Sequence, residues 1–373
     1  MASTPVQVEN DTPKPPKKPE RARKQLILLF LAALLVIAGL TAWQMLASYN
    51  ASTAPTVQGR PLSNPKTHLH FVALGASSNT MYLGTHYGLF TSTDGGKTWP
   101  ESKGALDHLM ITVLAVSPKD SKAIGVVATP STSQNFPMGM YFTDNGGQTW
   151  ELRNPANLPG SAYPYTITAG TDTPGHFYAF YLYAGWYETG DYGKSWNKLP
   201  AQSLPEMQAP KLLPFPDDPR HLLIGGEQGL FESKDNGATW RQLDGIKGNV
   251  MSLIGSFGKQ TTIYAATDEG VYHWVHTEAT PQPTLAKLPD EKTITRLATD
   301  PAGTFLYGIA GREVWVSHDQ GSHWTKTAQF DRTDITSLVV DPANPQQLYV
   351  SLFLPPKVMH SSDGGKTWTA LTE

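Results

Sequence analysis

The chain has 373 residues and no cysteine, which excludes disulfide bonds and thiolate chemistry. Residues 1–25 hold six basic and three acidic side chains, so the rest of the chain holds 23 basic and 29 acidic ones, a net charge of −6. A mildly acidic body lacks the basic surface that binds phosphates, and we expect no nucleic-acid partner.

The N-terminal part predicts a membrane anchor. Residues 1–25 are rich in Pro and Lys and predict a disordered, basic cytoplasmic tail. Residues 26–46 contain no charged side chain and cover about 30 Å as a helix, enough to cross a bilayer. Because the basic cluster precedes this helix, everything after it is expected outside the cytoplasm. Residues 47–65 then form a polar linker.

A cleaved signal peptide is the alternative to this anchor. Such a peptide has a shorter apolar stretch, although the small residues of 45–52 (MLASYNAS) are compatible with a cleavage site. The length of the apolar run favours a single-pass protein of the cell membrane, with its N-terminus in the cytoplasm.

One eight-residue phrase, S/T-x-D-x-G-x-T-W, recurs through the rest of the chain. Its six copies are STDGGKTW (92–99), TDNGGQTW (143–150), TGDYGKSW (189–196), SKDNGATW (233–240), SHDQGSHW (317–324) and SSDGGKTW (361–368). The fourth and fifth copies lie nearly twice as far apart as the others, which indicates that one copy has been lost between them.

A second pattern, two apolar strands joined by a Pro/Asp/Asn turn, identifies seven units. The copy at 252–267 fills the gap where the phrase is missing. Each unit predicts four strands at a spacing of about 44 residues, which is typical of a propeller blade. Residues 66–373 are therefore expected to form an all-β, seven-bladed β-propeller, in which neighbouring blades bury each other's faces.

The phrase itself has a structural explanation. Its Asp can accept bonds from nearby backbone N–H groups, and the Gly two positions after that Asp suits a positive φ. Its Trp buries a large apolar surface. Recurring once per blade, the phrases lie too far apart to form one catalytic site. The structural residues are expected to be Asp94, Asn145, Asp191, Asp235, Asp319 and Asp363, with Trp99, Trp150, Trp196, Trp240, Trp324 and Trp368.

These phrases resemble the Asp-box, or bacterial neuraminidase repeat. Similar boxes occur in sialidases, xyloglucanase-type glycosidases, sortilin-type receptors and the photosystem II stability/assembly factor family. The chain is most similar to the last group, because its blades are short and carry few insertions. Sortilin-type propellers have more blades and a cysteine-rich module that is missing here. The resemblance implies the fold and leaves the function open.

An enzymatic function finds little support in the residues. A sialidase requires an arginine cluster, and only Arg296, Arg312 and Arg332 are expected near the axis on the face away from the boxes. A glycosidase of another type needs two carboxylates ~5–9.5 Å apart, and no pair carries a signature. The candidates are Asp107, Glu206, Glu227, Asp268, Asp331 and Asp334. Glycoside hydrolysis remains the alternative to a binding function.

No metal or cofactor is expected either. His68 and His70 should share one face of a strand, and His273 and His276 are three residues apart. Neither pair has an evident third ligand in the sequence.

A partner is expected on the face opposite the boxes. The unusual loops, including the long link 277–292, are assigned to that face, and their aromatic residues predict recognition of a protein or a polysaccharide. The binding residues predicted there are His86, Tyr87, Phe136, Tyr163, Tyr183, Trp186 and Phe353, with Arg296, Arg312 and Arg332 near the axis.

Overall fold

The computed structural model describes residues 62, 67–75, 77–100, 104–131, 137–200, 203–277, 282–331 and 333–371. The predicted membrane helix, residues 26–46, lies outside these ranges. Within them, no helix is both long and apolar enough to cross a bilayer.

The described chain forms 27 β-strands, which make seven antiparallel sheets in chain order. Blades 1 to 3 contain β1 (Leu69–Leu74), β2 (Met81–Thr85) and β3 (Gly88–Ser92); β4 (Leu109–Val116), β5 (Ile124–Pro130), β6 (Gly139–Thr143) and β7 (Glu151–Leu152); β8 (Tyr163–Ala169), β9 (Phe177–Leu182), β10 (Gly185–Thr189) and β11 (Asn197–Lys198). Blades 4 and 5 contain β12 (Lys211–Pro214), β13 (Leu222–Gly226), β14 (Gly229–Ser233) and β15 (Arg241–Gln242); β16 (Val250–Phe257), β17 (Thr261–Thr267), β18 (Gly270–Val275) and β19 (Thr284–Ala286). Blades 6 and 7 contain β20 (Arg296–Thr299), β21 (Leu306–Ala310), β22 (Glu313–Ser317) and β23 (Thr325–Gln329); β24 (Ile335–Asp341), β25 (Asn344–Leu352), β26 (Lys357–Ser361) and β27 (Thr369–Ala370).

The seven-bladed propeller predicted from the repeats is confirmed. The unit without a box is blade 5, so seven units carry six boxes. First strands of neighbouring blades contact each other, among them β1 with β4 and β4 with β8, and the contact of β24 with β1 closes the ring. The first strands therefore surround the axis.

The core consists of seven apolar clusters, one between each pair of neighbouring blades. This arrangement explains why the third strands do not alternate between buried and exposed residues. Every residue of β22, for example, is buried, because neighbouring blades cover both faces of its sheet. The cluster that closes the ring joins Leu83 and Phe90 of blade 1 to Tyr349 and Val358 of blade 7.

A hydrogen bond adds to this closure. The backbone N–H of Val72 in β1 donates to the hydroxyl of Ser337 in β24 over 2.8 Å. Among the described residues each sheet contains strands from one unit only, so side-chain packing and the Ser337 hydroxyl, rather than a shared strand, join the first and last blades there.

β-Bulges interrupt the first strand in five of the seven blades. In β1 the register shifts between Leu69 and Phe71, so that His70 is the extra residue. The same shift leaves Tyr165 as the extra residue of β8. A bulge breaks the alternation of period 2 and redirects the side chains beside it. The bulges therefore alter which residues of the first strands face the axis.

Two details differ from the prediction of four regular strands and a loop-side link. Among the described residues blade 1 contains three strands; the N–H of Thr91 donates to the carbonyl of Pro100, and residues 101–103, which follow it, lie outside the described ranges. In blade 5 the fourth strand β19 lies inside the segment 277–292. His276 and Thr277, which follow β18, therefore begin this connection on the box side, where the other blades carry a box, rather than on the opposite face.

The two faces of the disc have different contents. The first turn of each blade lies beside its box: the N–H of Gly95 donates to the carbonyl of Asn79, and that of Gly146 to the carbonyl of Lys122. Boxes and first turns therefore share one surface, the box face. The turns between second and third strands, with the links between blades, form the opposite surface, the loop face.

Candidate functional site

The box carboxylates are fully engaged in holding turns. Asp94 accepts bonds from the backbone N–H groups of Thr98 (2.9 Å) and Lys97 (3.0 Å) and from the hydroxyls of Ser92 (2.8 Å) and Thr98 (2.7 Å). These bonds, led by the one from the Thr98 backbone, lower the pKa of Asp94 to about 2. The second Gly of the box, Gly96, has φ +85°, as a tight turn of this kind requires.

The variant boxes keep the same bonding pattern. The amide oxygen of Asn145 accepts from the hydroxyl of Thr143 over 2.7 Å and from the N–H of Thr149 over 3.1 Å. In the fifth box, the N–H of His323 donates to the Asp319 carboxylate over 2.8 Å. The pattern needs a hydrogen-bond acceptor at this position, and both variant boxes provide one.

The first residue of the box supplies the second half of each turn. The hydroxyl of Ser233 donates to Asp235 over 2.8 Å and accepts from the N–H of Gly237 over 2.8 Å. Ser233 is buried. Replacing it by alanine leaves the buried N–H of Gly237 without this acceptor and is expected to lower the free energy of unfolding by about 1–3 kcal/mol.

Urea unfolding of Ser233→Ala and Ser233→Thr would measure this contribution. Threonine stands at the same position in the second and third boxes and makes the same bonds from Thr143 and Thr189. Ser233→Thr should therefore stay close to the parent chain, and equal stability of both variants would contradict the role of the hydroxyl.

Three of the predicted binding residues come together at the junction of blades 7 and 1. Phe353 lies in the turn after β25, and its ring centroid is 4.7 Å from that of His68. The ring of His86, in the turn after β2, lies 4.7 Å from that of His68 and 5.2 Å from that of Tyr87. The backbone N–H of Phe353 donates to the carbonyl of Asp334 over 2.9 Å, and this bond fixes the position of Phe353 on the loop face.

A second exposed group lies in blade 3. Tyr183 occupies the turn between β9 and β10 with φ +63° and is 76% exposed. Tyr163 begins β8 opposite Leu182 and is also exposed. A bulky residue at positive φ is unfavourable, so the turn holds the Tyr183 side chain outward at some conformational cost.

The prediction that Trp186 belongs to this exposed group is wrong. It is 3% exposed and packs against Phe180, with ring centroids 5.2 Å apart, inside the cluster between blades 3 and 4. The reason is its place in the sheet, since β10 begins at Gly185 and Trp186 is already paired with Phe180.

Arg296 lies beside a charged group that sequence reasoning missed. Arg296 begins β20, close to Tyr165 of β8 and Lys211 of β12. The side chain of Glu227 interacts electrostatically with both Tyr165 and Lys211. Desolvation lowers the pKa of Lys211, and the charge of Arg296 lowers it further. Desolvation also lowers the pKa of Arg296 although its side chain is accessible to solvent, as expected where first strands meet near the axis.

The remaining predicted residues are less informative. Arg312 is exposed in the turn between β21 and β22, on the loop face. Phe136 and Arg332 lie outside the described residues.

Lys211 and Tyr165 could have been found from their positions, because each stands at or near the start of a first strand, as His70 and Arg296 do.

Three of the six carboxylates considered for glycoside hydrolysis make local contacts. Glu227 accepts backbone bonds from Gln208 (3.3 Å) and Ala209 (3.2 Å). Asp268 accepts from the N–H of Asn249 over 2.7 Å, and Asp107 lies 3.5 Å from His108. These bonds shape the loops.

Comparison with known proteins agrees with this architecture. The BNR/Asp-box repeat model matches residues 141–152. An uncharacterized membrane glycoprotein of Saccharomyces cerevisiae, YNR066C, is 40% identical over 68 residues, which is 18% of this chain and 15% of the yeast protein. The chain thus matches only a small part of that relative's length.

Two solved structures share the fold at low sequence identity. The GH74 xyloglucanase of Xanthomonas campestris superposes with a TM-score of 0.64 and 18% identity, covering 85% of this chain and 56% of the enzyme. YCF48 of Cyanidioschyzon merolae, a photosystem II assembly factor, gives a TM-score of 0.59 and 14% identity, covering 82% of this chain and 97% of that one. These likenesses and the seven sheets show the fold of a seven-bladed β-propeller, and the BNR/Asp-box repeat model matches one of its repeats.

Proposed function

We propose that this chain is a membrane-anchored, extracytoplasmic propeller that binds a protein partner on its loop face. One observation carries the proposal. Of the eight large apolar side chains that are exposed among the described residues, five lie at the loop face. These five are Met138, Tyr163, Tyr183, Phe353 and Leu354.

The chemistry of this surface favours a protein over a polysaccharide. Tyr, Phe, Met and Arg are the residues enriched in protein–protein interfaces, and the loop face presents all four types. The aliphatic side chains of Met138 and Leu354 suit apolar protein surface. Near the axis, Lys211 and Arg296 would pair with acidic groups of such a partner.

The membrane part of the proposal has two supports. Residues 26–46 form an uncharged apolar run preceded by basic residues, the pattern of an anchor whose following domain is exported. The partly matching yeast relative is named a membrane glycoprotein. Labelling of engineered cysteines with thiol reagents that do not cross membranes would test the orientation.

A photo-crosslinking amino acid at Tyr183 or Phe353 should yield one discrete protein adduct in cells that make the full-length chain. The same group at Leu152 or Leu285, which are equally apolar but lie exposed on the outer strands β7 and β19, should yield none. With the photo-crosslinking group placed instead at Leu354, a third loop-face position, the double change Tyr183→Ser with Phe353→Ser should abolish the adduct. The control change Leu285→Ser should leave that adduct intact.

Two outcomes would contradict the proposal. Adducts formed only from the outer strands would move the interface away from the loop face. Turnover of sialosides or glucans by the purified full-length chain would favour the alternative, glycoside hydrolysis.

A further inference from the structure

Three histidines converge at the loop-face end of blade 1. His68 immediately precedes β1, His70 is the bulged residue of β1, and His86 stands in the turn after β2. Each offers one ring nitrogen, and these three nitrogens lie within 4.8 Å of one another. The ring centroids of His68 and His70 are 5.0 Å apart, and those of His70 and His86 are 6.1 Å apart. We call these three residues the histidine cluster.

The fold explains how the cluster arises. Thr85 pairs with Leu69, so the two-residue turn that follows Thr85 places His86 beside the start of β1. His68 and His70 are two residues apart, so the alternation of a strand directs both side chains the same way, toward His86. Sequence reasoning found His68 and His70 without a third ligand, because the turn residue that completes the set is 16 positions further along the chain.

The state of these imidazoles suits metal coordination. Nε2 of His70 is buried and has no hydrogen-bond partner among the described residues, which is costly for a polar atom unless something binds it. An imidazole nitrogen in this position can bind a metal ion.

We propose that His68, His70 and His86 bind one zinc-type divalent transition-metal ion. Zinc accepts three histidine nitrogens at about 2.0–2.1 Å and leaves a fourth position for water or another ligand. Closing the present triangle around such an ion requires each nitrogen to move by about 1 Å, which side-chain rotation supplies. The cysteine-free chain offers no thiolate ligand, and imidazole ligands suit zinc, copper or nickel.

The position of the cluster suggests a use for the open coordination site. Phe353 contacts His68, so the ion would lie at the edge of the exposed loop-face surface. A carboxylate or histidine of a bound partner could then complete the coordination. The metal site does not depend on the proposed partner, because its three ligands all belong to this chain.

A second triad, His221, Glu232 and His276, carries no comparable proposal. Glu232 already bonds His221 through one oxygen (2.9 Å) and Arg241 through the other (2.7 Å). An ion there would have to displace two existing interactions.

Cobalt(II) provides a direct test, because it binds zinc sites and shows visible absorption when its coordination is tetrahedral. Chelator-treated full-length chain, purified in mild detergent, should bind one Co²⁺ with tetrahedral absorption bands that Zn²⁺ then removes. His86→Gln, a change in a surface turn, and His68→Gln should each weaken Co²⁺ binding by on the order of 100-fold. His323→Gln is the matched control, since that histidine belongs to a box and its side chain is 90% exposed.

Thermal unfolding separates loss of the site from loss of the fold. Zn²⁺ should raise the melting temperature of the parent chain and of His323→Gln, but not that of His86→Gln, whose metal-free melting temperature should match the parent's. Absence of the tetrahedral bands in the parent chain would overturn the proposal. Unchanged Co²⁺ affinity in both His86→Gln and His68→Gln would overturn it equally.

Discussion

Replacing Phe90 by alanine is expected to lower the free energy of unfolding of the whole propeller by about 3–5 kcal/mol. Phe90 is 2% exposed and belongs to the cluster that joins blade 1 to blade 7. Its removal leaves a cavity at the one junction where the end of the repeat meets its beginning. A closed ring transmits that loss to every blade, whereas an open array would lose only its terminal unit.

Urea unfolding of the full-length chain in detergent, followed by tryptophan fluorescence, measures this effect. Phe90→Ala should keep a single transition at a lower midpoint. Phe353→Ala removes the same atoms from a 41% exposed position and should change stability by no more than about 0.5 kcal/mol. A second, early transition in Phe90→Ala would indicate that blade 1 unfolds alone and would contradict ring closure.

Replacing Glu232 by alanine is expected to lower the free energy of unfolding by about 1–3 kcal/mol, because it leaves the buried His221 without its partner. The Glu232 side chain is 6% exposed, and it accepts bonds from His221 over 2.9 Å and from Arg241 over 2.7 Å. Without the carboxylate, both partners lose their acceptor. The matched control is Glu151→Ala: Glu151 also bonds an arginine, Arg153, over 2.6 Å, but it is 66% exposed, so its loss should cost about 0–1 kcal/mol.

Glu232 should also make the stability of the fold depend on pH in a predictable direction. The hydrogen bond with His221 is the main cause that lowers the pKa of Glu232 from 4.5 to about 2. A carboxyl whose pKa is lower in the folded state stabilises the fold above its unfolded pKa and loses this contribution as the pH falls through the folded value. The stability difference between the parent chain and Glu232→Gln should therefore be constant above pH 4.5 and shrink between pH 4.5 and about 2. A difference that does not vary with pH would contradict the assignment.

The fold could be predicted because its signals are local and repeated. Each box fixes a turn through its own Asp, Gly and Trp, and the spacing of six boxes indicates the number of blades even where blade 5 has none. In the variant boxes, Asn145 and His323 keep the bonds that the turn needs.

The candidate surface was harder to predict because single-residue shifts decide it. Within YLYAGWY, Tyr183 lies in the turn and is exposed, whereas Trp186, three residues later, already belongs to a strand covered by the next blade. The bulges that redirect His70 and Tyr165 have no signature in the pattern of apolar residues. The link after β18 was assigned to the wrong side because the replacement of a box by an irregular segment leaves no trace in composition.

Single-cysteine labelling tests the central claim, that the loop face is the outward binding surface, most directly. The chain has no cysteine of its own, so Tyr183→Cys, Phe353→Cys and His323→Cys each carry one reactive thiol. All three sites should react with a membrane-impermeant maleimide on intact cells. The thiols at 183 and 353 should react at least about tenfold more slowly there than in the purified chain, because a partner covers them, while the thiol at 323 on the box face reacts equally in both. Protection at 323 with free reaction at 183 and 353, or no labelling of intact cells at any site, would contradict the claim.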